Sequence, residues 1–66
     1  MLLVASFPEN DRTLLQVREQ VSDWNQLNIE SRQDRYLIYY TGDSKEEIIN
    51  LTTVLLGTQA EIKIYS

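Results

Sequence analysis

The sequence predicts an α/β chain folded as an α+β two-layer sandwich, and three observations lead there. Each of two helical stripes follows an extended apolar run. The last run alternates apolar with polar residues, as in a sheet with one face packed and one face open. Two helices can cover one face of a small sheet and no more.

Leu2–Phe7 is apolar and ends at Pro8, which cannot donate to a sheet ladder and pushes its predecessor toward extended geometry. The spacing predicts a first strand. Asn10 or Asp11 caps the next element through a short polar side chain. Leu14, Val17, Val21, Trp24 and Leu27 then recur at three and four residues, which predicts a helix over about 11–26 with Trp24 completing its inward stripe. Leu27 and Ile29 alternate with Asn28 and Glu30, so 27–31 reads either as a short strand, turned back by Ser31-Arg32-Gln33-Asp34, or as a polar loop. Arg35–Thr41 is rich in aromatic and β-branched residues and predicts a strand ended by Gly42. Asp43/Glu46 and Ser44/Glu47 have capping-box spacing, and Ile48, Leu51, Thr52 and Leu55 form the inward stripe of a second helix over about 44–56, with Gly57 at the C-cap. In Ala60–Tyr65, Ile62 and Ile64 point inward and Glu61, Lys63 and Tyr65 outward.

If 27–31 is a strand, the order is β-α-β-β-α-β, the ferredoxin-like arrangement, which is favoured. If it is a loop, a three-stranded β-α-β-α-β fold results. Residues 1–66 form a single small α/β domain under either reading.

A chain of 66 residues has a thin core, which rarely supplies more than about 3–5 kcal/mol. With no cysteine there is no disulfide or thiolate zinc site to reinforce it, and with no histidine the commonest transition-metal ligand is missing. Ideal packing or self-association is left as reinforcement, so a homo-oligomer is expected. Lack of cysteine fits a reducing compartment, and a cytoplasmic location is expected. The net charge of −4 opposes non-specific binding to nucleic acid and to anionic membranes. Met1–Ala5 lacks a basic flank and reads as a strand rather than a leader, and no apolar run is long enough to span a bilayer.

Without Cys or His, the familiar nucleophile–base pairs cannot form within one chain. Ser44 and Lys45 are helix neighbours that do not face each other. Asp43, Glu46 and Glu47 could hold a hard cation, but helix capping and dipole complementation account for all three. Tyr40–Ser44 passes a glycine into a helix start, yet the surrounding carboxylates would repel a phosphate. No catalytic, cofactor-binding or metal residue is therefore assigned.

The positive signal is on the sheet. On the Arg35–Thr41 strand, Tyr36, Ile38 and Tyr40 share the face expected to meet the helices, leaving Leu37 and Tyr39 outward. If that strand neighbours the last one, the open face presents Leu37, Tyr39 and Tyr65 rimmed by Arg35, Glu61 and Lys63. Aromatic anchors within a charged rim suit a protein interface. The expected function is that of a small non-enzymatic regulatory or adaptor protein that contacts another protein, or a second copy of itself, through this open face or a sheet edge. The alternative is a nucleic-acid-associated domain using Arg32, Arg35 and the nearby tyrosines, which the net negative charge makes the weaker reading.

Overall fold

A computed structural model describes residues 1–66. Its elements are β1 (Leu2–Pro8), α1 (Asp11–Glu19), β2 (Leu27–Arg32), β3 (Arg35–Thr41), α2 (Lys45–Leu55) and β4 (Glu61–Tyr65), with a 3-10 turn at Trp24–Gln26 before β2. The four strands form one antiparallel sheet in the order β2-β3-β1-β4, with both helices against one face. The fold is α+β. Residues 27–31 pair as a strand, so the three-stranded alternative does not hold.

The strict alternation of β1 drives the layering. Leu3, Ala5 and Phe7 are buried against the helices, while Leu2, Val4, Ser6 and Pro8 turn to the other side. β3 follows the same rule, with Ile38 and Tyr40 fully buried and Tyr36 packed at the margin. Val17 comes from α1, Val21 from the segment just after it, and Ile48, Leu51 and Leu55 from α2, to close the core. Phe7 and Tyr36 meet with ring centroids 5.8 Å apart.

Asn10 is the cap of α1: its side-chain oxygen accepts from the Arg12 and Thr13 N–H groups at 2.9 and 3.2 Å. Ser44 caps α2 by accepting from the Glu47 N–H. The Glu47 side chain does not complete a capping box. Its Oε1 instead accepts from the Tyr40 hydroxyl at 2.5 Å, and its Oε2 accepts from the Ser22 N–H and Oγ–H, both at 2.9 Å. One carboxylate thus ties α2 to β3 and to the end of the α1 segment. Gly42 lies under the Tyr40 ring, where a Cβ would meet the hydroxyl oxygen at 2.5 Å. Gly57 has φ +83°, the left-handed conformation expected after a helix.

Four expectations need correction. The first helix stops at Glu19, not near 26. Ser22 is held by Glu47 of α2, and the Asp23 side chain accepts from the Asn25 N–H to start a separate turn, so one tertiary and one local polar bond outcompete the helical ladder. Trp24 consequently leaves the inward stripe. It is 62% exposed, donates its indole N–H to the Arg18 carbonyl at 3.1 Å, and stacks near the Arg18 guanidinium. Ile64 does face the helix layer, opposite Leu3, but it lies on an edge strand that the helices do not fully reach and remains 49% exposed. Finally, β3 and β4 are not neighbours, because β1 lies between them.

Candidate functional site

The open face is built in rows set by the strand registers. Across β4-β1-β3-β2, one row runs Lys63, Val4, Tyr39, Asn28 and the next runs Glu61, Ser6, Leu37, Glu30. Tyr65, Leu2 and Thr41 form a row beyond the first, and Pro8, Arg35 and Arg32 a row beyond the second. Small or short side chains on β1, Val4 and Ser6, lie between taller ones on β3 and β4. The result is a hollow of about 250 Å³ lined by Val4, Ser6, Leu37, Glu61, Lys63 and Tyr65.

Four of the six residues expected on this face therefore meet around the hollow: Leu37, Glu61, Lys63 and Tyr65. Tyr39 is half-buried on the same face, opposite Val4 and Asn28, but does not line it. Arg35 also stays outside. Its guanidinium reaches across β1, donating from Nε to Ser6 Oγ at 2.9 Å and from Nη2 to the Ser6 carbonyl at 3.1 Å and the Gln59 carbonyl at 3.5 Å. It acts as a strap between β3, β1 and the loop before β4. Val4 and Ser6 were missed in the sequence because β1 was not expected to separate β3 from β4. No sequence signal marks them, because Leu2–Phe7 is apolar on both sides apart from Ser6, and the two faces of β1 differ only in what covers them.

The charges at the hollow are a lysine and a glutamate two residues apart on β4. Neither makes an ion pair within the chain: the salt bridges present are the N-terminus with Asp43 and Arg32 with Glu30. Shifted titrations lie on the other side of the sheet. Burial, followed by the hydrogen bond to Glu47, pushes the Tyr40 hydroxyl up to about 12. The hydrogen bond from Tyr40, followed by those from Ser22, holds the Glu47 carboxyl below its ordinary value. The hydrogen bond to Asp11, 2.6 Å long, leads the causes that raise Tyr36.

The other candidate clusters disperse. Asp43 faces the N-terminus at 3.5 Å and Glu47 is engaged by Tyr40 and Ser22, so the acidic helix start does not converge on one point. Arg32 is paired with Glu30 at 3.3 Å and Arg35 with Ser6, while Tyr36 and Tyr40 face the helices and Tyr39 faces away. The basic and stacking groups considered for nucleic acid are thus split between two faces. No helix is long and apolar enough to cross a membrane. No protein-family model, curated protein or solved structure significantly matches this chain.

Proposed function

We propose that this chain is a small regulatory or adaptor domain without catalysis of its own, which acts by protein contact through the open face of its sheet. The observation that carries the reading is the hollow over β1, where Leu37 and Tyr65 flank an apolar floor at Val4 and Glu61 and Lys63 supply a charged rim. A recess with an apolar interior and a polar rim accepts a side-chain anchor from a partner. Two helices leave this face without cover, so docking there also adds apolar burial to a core of 11 buried hydrophobic residues. The β2-β3-β1-β4 order supports the ferredoxin-like reading of the fold, because each helix joins two strands that have a third strand between them. Absence of cysteine supports a cytoplasmic setting.

The test is Leu37→Glu in the middle of the face. Circular dichroism is expected to show a folded variant, because the side chain is only half-buried. Immobilised wild-type protein is expected to capture partners from a native lysate, and the variant to lose them. A folded variant that captures the same proteins as wild type removes this reading.

A further inference from the structure

We infer that β4 is the pairing edge of a homodimer, in which the β4 strands of two copies lie antiparallel with Ile62 at the centre and join two four-stranded sheets into one. This contact is separate from the open-face reading and leaves that face uncovered. β4 carries one row of backbone donors and acceptors bonded to β1 and one row facing outward. Such edges recruit another strand unless proline, a bulge, covering structure or unmatched edge charge, lysine above all, blocks them, so Lys63 permits pairing only with a strand that sets an acid opposite it. β4, Glu61-Ile62-Lys63-Ile64-Tyr65, contains no proline, and its pairing with β1 is continuous from Glu61 to Tyr65.

Two observations single out this edge and this occupant. The first is exposure. The sheet has two edges, β2 and β4. On β2 Leu27 is buried, at 8% exposure, and Ile29 is partly buried, and Arg32 and Glu30 already neutralise each other. On β4, Ile64 is 49% and Tyr65 52% exposed, and Lys63 and Glu61 have no ionic partner. The second is charge complementarity with itself. Antiparallel pairing centred on Ile62 sets Glu61 opposite Lys63 of the second copy, and Lys63 opposite its Glu61. Opposite charges at directly facing positions stabilise a strand pair, and like charges destabilise it. A register centred on Lys63 would set lysine against lysine, and one centred on Ile64 would set Lys63 against Tyr65 and leave Glu61 unmatched, so only the Ile62-centred register pairs both charges. The two-fold axis then runs perpendicular to the sheet, which keeps both helix layers on one side and sets the two hollows beside each other. The arrangement is isologous and closes at two copies.

Sedimentation equilibrium over a concentration series tests it, together with hydrogen exchange of the β4 amides. Wild type is expected to show a monomer–dimer equilibrium, with slower exchange in β4 as concentration rises. Lys63→Glu and Glu61→Lys each turn two attractions into two repulsions, so each is expected to weaken the dimer about tenfold. The double variant Glu61→Lys/Lys63→Glu restores both pairs and is expected to return to wild-type affinity. An equimolar mixture of the two single variants is expected to associate more tightly than either alone. Leu37→Glu is expected to leave the dimer intact, which separates this contact from the open face. A chain that stays monomeric at every concentration overturns the proposal. So does a dimer that ignores the charge reversals, or one that Leu37→Glu dissolves.

Discussion

The two faces of this sheet are made by the same strands, yet they live in different environments. On the helix side, Leu3, Phe7, Ile38 and Tyr40 are wholly inaccessible, and every buried polar side chain has a partner. On the other side, their chain neighbours Val4, Leu37 and Tyr39 are only half-buried, although they are as apolar as the residues beneath the helices. The difference is not one of composition. Burial on the open side comes only from neighbouring strands, because both helices are already committed to the opposite layer. A residue's hydrophobicity therefore says less about its burial than which side of β1 or β3 it leaves from.

The contrast breaks most severely on the helix side. Phe7→Ala empties a fully buried site next to Tyr36, and a loss of about 3–5 kcal/mol is expected. That equals the stability a core of this size provides, so urea denaturation should find the variant largely unfolded without denaturant.

The Tyr40–Glu47 bond is the next largest lever, and it gives stability two pH limits. The folded Glu47 carboxyl titrates below its ordinary value of 4.5, so its contribution is present above that pH and is lost as pH falls through the lower folded value. The folded Tyr40 hydroxyl titrates near 12 instead of 10, so stability is lost as pH climbs from about 10 toward 12, where the unfolded chain ionises and the folded one resists. Thermal unfolding across pH is expected to show both arms. Tyr40→Phe should flatten the alkaline arm and, by leaving Glu47 without that donor, cost about 1 kcal/mol near neutrality. An alkaline arm unchanged in Tyr40→Phe would assign it to another group.

The smallest effect is expected on the open side. Leu37→Thr places a β-branched residue in the strand and removes only half-buried apolar surface, so the monomer should lose less than about 1 kcal/mol. A loss approaching that of Phe7→Ala would mean that the two faces are equivalent after all, and would sharpen the comparison against its present reading.

Much of the fold was legible before any coordinates. β1, β3 and α2 follow from local rules: alternation, β-branched and aromatic content, a serine cap and a glycine stop. The β2–β3 turn was ambiguous because it lacks the usual Asn-Gly or Gly pair. Gln33 instead takes the left-handed conformation, φ 47°, which glycine or asparagine adopts more easily. The end of α1 was not legible, since the periodicity continued through Val21 and Trp24. A carboxylate from α2, 25 residues away in sequence, holds Ser22 and helps to stop the helix there. The candidate site was half legible for a related reason. Strand alternation placed Leu37, Glu61, Lys63 and Tyr65 on one face, but no local pattern announces which strand lies between β3 and β4.

By itself, then, the sequence determined β1, β3, α2 and β4 and the side to which each of their strand residues points, because backbone sterics and a period of two act within a few residues. Only the tertiary structure decided strand order, the insertion of β1, the short first helix and the exposure of Ile64 and Trp24. Those depend on contacts between segments far apart along the chain, and the energy of such contacts has no periodic signature in either partner alone.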